Sequence, residues 1–415
     1  MTRAERRPTR VAVVTGLYPN SRQPRHGIFV EERLRQLAAT GEVEARVVAP
    51  VPWFFSTHER FGRYARMAAV PKREVRHGIL VEHPRYLVVP KVGMMLSPLT
   101  MARSVRATLK RWRREGFDFD LIDSHYFYPD GVAAAWLAGW FRRPFVVTAR
   151  GADLNQIAGM RGPGHQIRRA ARRASGLVTV SRSLAARLEA LGIDRDRISV
   201  LRNGVDLTRF APRDRDADRA ALGVDGPVWL CVGHLIERKG VDVAIDALVH
   251  VPTVTLLIAG DGPLEDRLRD QASRLGVVDR VRFLGAIEHD DLPMYYSAAD
   301  ALVLAARSEG MPNVVLEAIA CGTAVIATDV DGIPEVITGA PAGVLIEART
   351  GAAVARAWAE LDGEAIMPEG RRRRRRYAED FGWDTTTRGQ LRMFRNILDH
   401  GAASKTSRAT NGAAD

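Results

Sequence analysis

Cysteine is nearly absent. Cys231 and Cys321 are the only two among 415 residues, too few for a disulfide framework and suited to a reducing compartment. Long apolar runs are missing too. The longest, Gly131 to Phe141, stops at Arg142-Arg143, too short to span a bilayer and read as a buried helix. The stretch Val11 to Tyr18 behind the basic N-terminus holds Thr15 and Gly16 and lacks a small-residue cleavage site. It reads as a first strand, not a signal peptide, and a cytoplasmic protein is expected. There is no G-x-x-x-x-G-K-[ST] loop, which argues against an NTPase. Gly260-x-Gly262 lacks the third glycine and the ribose acid of a dinucleotide fingerprint. No His/Cys/Glu cluster has metal-ligand spacing, so neither metal nor cofactor is expected. With 46% apolar and 27% charged residues, the composition excludes a disordered or collagenous chain.

What is abundant is positive charge, placed unevenly. Residues 1–210 hold 37 basic and 18 acidic residues, a net of +19, and residues 211–415 hold 24 and 31, a net of −7. The basic half favours an anionic partner: a nucleic acid, a phosphate ligand or an anionic membrane face.

Short apolar runs alternate with helix-period segments through both halves. Strands are predicted at Val11–Thr15, Ala45–Ala49, Leu121–Ser124, Phe145–Thr148 and Leu177–Val180. In the second half they fall at Val228–Val232, Thr255–Ala259, Val281–Leu284, Ala301–Leu304 and Ala324–Ala327. Helices are predicted at Phe29–Ala39, Ser97–Arg114, Val241–Val249, Leu264–Arg274 and Val314–Ala320. Continuous apolar strands between helices indicate parallel sheets covered on both faces, hence two doubly wound α/β domains. The junction is placed at Asn203–Gly226, whose charged run reads as an exposed linker. Domains are expected at 1–208 and 209–383. A last amphipathic helix, 384–400, completes the first, and 401–415 form a disordered tail.

The sharpest motif is Glu309-Gly310-Met311-Pro312-Asn313-Val314-Val315-Leu316-Glu317. Two carboxylates flank a Gly/Pro turn and a helix start, with Pro312 suited to the first helical position. Free amides and the helix dipole make that start an anion site. By spacing alone, a capped helix with solvated Glu residues explains it equally well.

This segment resembles the E-x7-E motif of the family 4 retaining glycosyltransferases, which have the GT-B fold. Other segments follow in the family's order: Asn203-Gly204-Val205-Asp206 with Phe210, Gly260-Asp261-Gly262-Pro263, Phe283-Leu284-Gly285, Glu317-Ala318-Ile319-Ala320-Cys321-Gly322 and Gly332-Ile333-Pro334-Glu335. In the first half, Tyr18-Pro19-Asn20, His26-Gly27-Ile28-Phe29-Val30, His125 with Pro129-Asp130-Gly131, and Arg150-Gly151-Ala152-Asp153-Leu154-Asn155 resemble a subgroup close to teichuronic-acid-type transferases.

The resemblance implies two Rossmann-like domains facing across a cleft, with the donor, a UDP- or GDP-sugar, on the second. Glu317 would accept hydrogen bonds from ribose hydroxyls. Glu309 would bind the donor sugar, helped by amides around Gly310, Met311, Pro312, Asn313 and Val314. Lys239 would stabilise the leaving diphosphate as charge builds; on its own it reads rather as a surface lysine, and its place just after a strand, with Gly240 next, reverses that. His234 stands where the family usually carries Arg, and imidazole gives no permanent bidentate phosphate contact. Arg238 is the candidate for the second charge. Gly27 would lie by the diphosphate and His125 against the donor sugar, while Arg150 and Asp153 are acceptor-side candidates. Asp329-Val330-Asp331 resembles the metal-binding D-x-D of the other main glycosyltransferase fold but reads here as a turn.

The basic helix 103–114 and the cluster Arg168, Arg169, Arg172 and Arg173 suit an anionic cytoplasmic leaflet. The expectation is a peripheral membrane protein acting on a glycan or lipid-linked acceptor. The run Arg371–Arg376 reads as an exposed, charge-rich helix end. The rival readings are a transferase for a small soluble acceptor, a catalytically inactive relative, and a nucleic-acid-binding protein, though the chain carries no nucleic-acid-binding motif.

Overall fold

The computed structural model describes residues 7–88, 93–337, 342–361, 363 and 367–411, without the side chains of residues 63 and 401–411. The chain divides into two compact units, 1–201 with 385–415, and 202–384.

The N-terminal unit is built on an eight-stranded sheet. Its strands are β1 (Thr9–Val14), β2 (Val43–Val48), β4 (Arg73–Arg76), β5 (Ile79–Glu82), β7 (Leu121–His125), β8 (Phe145–Ala149), β9 (Gly176–Thr179) and β10 (Ile198–Val200), and a separate pair is formed by β3 (Val51–Pro52) and β6 (Arg85–Tyr86). The order across the sheet is β10-β9-β8-β7-β1-β2-β5-β4. All neighbours are parallel except β4, which runs antiparallel to β5. The central strands β7 and β8 are buried along their whole length; β8 reads as an apolar run for that reason, while β7 ends in the buried polar residues Asp123, Ser124 and His125. The edge hairpin β4–β5 is not legible in the sequence. Its outer strand, Arg-Glu-Val-Arg, is half exposed, as a charged edge strand must be to avoid pairing with another chain.

The C-terminal unit has six parallel strands in the order β13-β12-β11-β14-β15-β16. They are β11 (Val228–Val232), β12 (Thr255–Ala259), β13 (Val281–Gly285), β14 (Ala301–Leu304), β15 (Ala324–Thr328) and β16 (Gly343–Ile346). Trp229, Leu230, Ile258 and Ile326 fill its core.

Helix Trp383–Asn411 starts in the C-terminal unit and returns to the N-terminal one, where Leu391 and Phe394 join the core of Val11, Val13 and Leu34. Burying two such side chains stabilises the join by roughly 3–6 kcal/mol. The backbone stays helical to Asn411, where the sequence reading has a disordered tail from Gly401; residues 412–415 lie outside the described residues.

Two further expectations are corrected. The stretch 203–226 is not an exposed linker. Asp214 caps helix Arg215–Leu222 through the amides of Asp216 and Ala217, and Phe210 is buried. Arg213 pairs with Asp218, while Arg215 and Arg219 pair with Asp300, so the charged run is folded structure. The arginine run is not a solvated end either. It lies in helix Pro368–Ala378, and Arg374 is 0% exposed. Arg371, Arg374 and Arg375 donate to the carbonyls of Cys321, Gly322 and Ala320. Those carbonyls end helix Asn313–Ala320, where unpaired acceptors and the negative dipole end favour cations. Burial pulls the Arg371 and Arg374 guanidiniums down to about 10, still charged at neutral pH.

Candidate active site

In the C-terminal unit the motif residues gather at the carboxyl ends of β11 and β14, the edge where open α/β sheets bind ligands. The turn after β11 runs through Gly233 and His234 to a short helical turn, Glu237–Lys239, and Gly240 then starts helix Val241–Ala247. Gly240 has φ +76°, and a Cβ there would sit 1.9 Å from the Ala305 carbonyl oxygen. No other residue fits so close a backbone approach, and it brings Lys239 beside the loop after β14. Lys239 Nζ meets Glu309 Oε1 at 2.6 Å, and Arg238 Nη1 lies 3.3 Å from the same oxygen. Arg238 also donates to the Ser308 carbonyl at 2.8 Å. Two cations on one carboxylate, 8% exposed, leave a local excess of positive charge.

The Glu309 loop is held from below by Asp331. Its Oδ2 accepts from Ser308 Oγ at 2.7 Å and from the Glu309 amide at 3.1 Å. Asp331 adopts φ +49°, a left-handed conformation that Asp tolerates better than most residues. The Asp329–Asp331 triplet is thus a turn, as read, but one that positions the motif.

Helix Asn313–Ala320 begins immediately after Gly310, Met311 and Pro312, so Pro312 precedes the first helical residue rather than occupying it. Val314 lies in the first turn, and the Asn313 side chain accepts from Asn203 Nδ2 at 2.8 Å. Glu317, one turn in and 7% exposed, accepts from Tyr296 Oη at 2.8 Å and faces His289 Nε2 at 3.2 Å. Arg209 Nη1 is 3.0 Å from His289 Nδ1. Guanidinium only donates, so Nδ1 accepts and Nε2 carries the proton toward Glu317. Burial, with Glu317 beside it, raises the Tyr296 phenol well above its ordinary value and keeps it a donor. His234 is exposed and hydrogen-bonds the Asp261 carbonyl through Nδ1 at 2.7 Å, so it does not join the Lys239–Glu309 pair.

In the N-terminal unit Gly27 caps helix Ile28–Ala39 at φ +80°, with its would-be Cβ 2.4 Å from the Leu17 carbonyl carbon. His125 ends β7 and is 2% exposed. Its Nδ1 is 2.7 Å from Arg150 Nη2, which again leaves the proton on Nε2, 3.5 Å from Asp123 Oδ2. Burial pushes its pKa down to about 4, so the ring is neutral. Asp123 accepts from Gln390 Nε2 at 2.8 Å, and Gln390 Oε1 accepts from the buried Arg33 at 2.6 Å. Asp153 is fully buried and takes the amides of Phe127, Arg150 and Gly151. That role is holding two loops together. Asp130 accepts from the Gly16 amide, and burial raises its carboxyl to about 7.

Sequence reasoning missed Tyr296, His289, Asp123 and Gln390. The polar run Glu288–Asp291 after β13 was a signal for His289. Gln390 is 267 positions from its partner Asp123, and nothing local marks it. A cavity of about 760 Å³ lies elsewhere: Asp120, Pro144 and Ser175 place it at the amino ends of β7–β9, and it contains none of the candidate residues. Among the described residues no cluster of His, Cys, Asp and Glu suits a metal ion.

Two parallel-sheet α/β units, one with paired acidic residues around a helix start, define the GT-B class of glycosyltransferase. Residues 213–380 match the family described as glycosyl transferases group 1, and residues 27–209 match glycosyltransferase family 4. The chain is 31% identical over 364 residues to TuaC of Bacillus subtilis, named as a teichuronic acid biosynthesis glycosyltransferase, covering 85% of this chain and 89% of that one. It is 32% identical over 305 residues to the D-inositol 3-phosphate glycosyltransferase of Mycobacterium tuberculosis, covering 68% and 62%. Among solved structures, sucrose-phosphate synthase of Thermosynechococcus elongatus superimposes with a TM-score of 0.77 at 19% identity, over 95% of this chain and 100% of that one. HepE of Anabaena, in complex with UDP, gives 0.70 at 20% identity, over 94% and 100%. The chain belongs to the family 4, group 1 glycosyltransferases, and it is a transferase.

Proposed function

We propose that this enzyme moves a sugar from a UDP- or GDP-sugar, with retention of configuration, to a glycan or lipid-linked acceptor in cell-surface polysaccharide assembly. The carrying observation is the set within the C-terminal unit: Glu309 against Lys239 and Arg238, and a buried Glu317 at the other end of the same motif. Each oxygen of Glu317 has one protein donor and keeps a lone pair for a ribose hydroxyl. When the sugar C1–O bond breaks, its electrons pass to the diphosphate, where Lys239 and Arg238 offset the growing charge. Among the described residues no side chain stands out as a nucleophile. The reading is therefore front-face displacement: the acceptor oxygen bonds C1 while its proton passes to the departing phosphate oxygen. No metal or cofactor is invoked. The basic N-terminal unit is assigned the acceptor and attachment to the inner membrane face. His125 and Gly27 keep, as part of this proposal, the donor-side roles that the family resemblance implies.

The reading is supported by the family, by HepE, whose structure holds UDP, and by TuaC, whose name carries teichuronic acid. The D-inositol 3-phosphate relative favours a second reading, a small soluble acceptor; product analysis with lipid-linked and soluble acceptors separates the two. Thermal unfolding with UDP, GDP and ADP tests the donor. At 100 times its dissociation constant the right nucleotide stabilises by about 2.7 kcal/mol. That shift should vanish in Glu317→Ala. No shift with any nucleotide refutes the donor assignment.

A further inference from the structure

Large apolar side chains are exposed on one part of the N-terminal unit: Leu87, Met94, Met95, Leu96, Trp136 and Met160. They are far apart in sequence but joined in space. The Leu87 carbonyl accepts from Thr100 Oγ1 at 2.8 Å, which ties it to helix Gly93–Arg114. The Met95 carbonyl accepts from Gln166 Nε2 at 3.2 Å, and the Met95 sulfur lies against Gly162. Both contacts reach helix Arg161–Arg173. Met95, Val132, Ala135 and Trp136 line a groove of about 400 Å³, with His165, Arg169 and Arg173 at its rim. Trp53, also exposed, extends the patch, because its amide donates to the Tyr86 carbonyl next to Leu87.

The charge around this patch has one sign. Helix Arg161–Arg173 buries Pro163, Ile167, Ala170 and Ala171 and presents Arg168, Arg169, Arg172 and Arg173 outward. Apart from the Trp53 segment, the residues that build the face, 83–88, 93–114, 131–152 and 154–188, contain no aspartate or glutamate. Protruding Met, Leu and Trp side chains amid arginines and no carboxylates match the layering of a bilayer, with acyl chains beneath anionic headgroups. A protein partner would have to bring a carboxylate-rich rim and an apolar centre together; an anionic bilayer supplies both everywhere.

We propose that this face docks on an anionic lipid bilayer, Met94–Leu96 and Trp136 entering the acyl boundary and the arginines of helix Arg161–Arg173 holding headgroup phosphates. The proposal rests on the peripheral location given above and assigns it a surface: the apolar face, not charge alone, makes the attachment.

The test is flotation of the full chain at physiological salt with phosphatidylcholine vesicles, plain or with about one-third phosphatidylglycerol. The wild type should bind only the anionic vesicles, and brominated acyl chains should quench its fluorescence less in W136F. M94S/M95S/L96S should lose at least about tenfold in partitioning. R169A/R173A should lose about 30-fold, at roughly fivefold per basic residue, and K110A/R114A, at the far end of the other basic helix, far less. Melting temperatures of all variants should match the wild type, since these side chains are exposed. Wild-type binding that the triple variant retains overturns the docking face and leaves attachment by charge. No wild-type binding overturns both, while sugar transfer and the nucleotide shift stand untouched. A concentration-dependent dimer abolished by the triple variant, without lipid binding, assigns the face to a second copy and overturns the proposal.

Discussion

Asp331 gives the sharpest separation of structure from chemistry in this enzyme. Its carboxylate holds the Ser308 hydroxyl and the Glu309 amide, and its backbone sits at φ +49°. Hydrogen bonds to a charged group contribute about 1.5–3 kcal/mol each. The site is partly exposed, so the lower end applies, and losing both costs about 3 kcal/mol. Alanine adds about 1 kcal/mol for holding a left-handed backbone, which glycine avoids. Asp331→Ala should therefore be less stable than Asp331→Gly by about 1 kcal/mol, and Asp331→Asn, which keeps an acceptor and tolerates the backbone, should lose least. The loosened loop carries Glu309 but not Glu317. Sugar transfer should fall about 10- to 100-fold in both the alanine and glycine variants, a barrier change of about 1.4–2.8 kcal/mol, while the thermal shift with the cognate nucleoside diphosphate persists. Initial rates from a saturating donor, set beside nucleotide thermal shifts, measure this. Transfer at the wild-type rate in Asp331→Ala, or nucleotide binding lost in step with transfer, refutes the reasoning.

Three further outcomes follow from the same geometry. Glu317→Gln keeps the shape but donates where ribose hydroxyls need an acceptor, so nucleotide affinity should drop by at least tenfold in calorimetry with the fold intact. Two buried groups make stability pH-dependent in opposite senses. His125, with a folded pKa of about 4 against 6.5, contributes stability above pH 6.5 that is lost as the pH falls toward 4, by roughly 3 kcal/mol. Asp130, raised from 3.8 to about 7, favours the fold below pH 4, and that contribution, roughly 4 kcal/mol, is lost as the pH rises to 7. Denaturation profiles of His125→Asn and Asp130→Asn should each lose one of these slopes. Phe394→Ala, in the core of the N-terminal unit, should cost about 3–5 kcal/mol and free the last helix, which amide exchange of that helix would report.

Much of this was legible before the structure. The ten strands read from the sequence are all present, because most of them are short apolar runs set between helix-period segments, as parallel strands covered on both faces are. What escaped was the shortest strands: β4, β5, β10, β16 and the β3–β6 pair are two to four residues long, and periodicity has little to grip there. The acidic motif was legible from its glycine, proline and carboxylate spacing. The partners that orient it were not, because Tyr296, His289 and Asp331 reach it through folding from other loops. The arginine run misled for a related reason. Composition says that six consecutive arginines face water, and only the neighbouring helix end reveals the carbonyls they satisfy.

That run has a consequence for handling the protein. It is the densest cluster of trypsin sites in the chain, yet a protease needs an extended strand of substrate, and here the backbone is helical with three of the guanidiniums fastened to the end of the Glu317 helix. Cleavage at Arg371–Arg376 must therefore wait for opening of the C-terminal unit. The rate of that single cut is a built-in gauge of how often the unit unfolds, and a bound nucleotide should slow it in proportion to its occupancy.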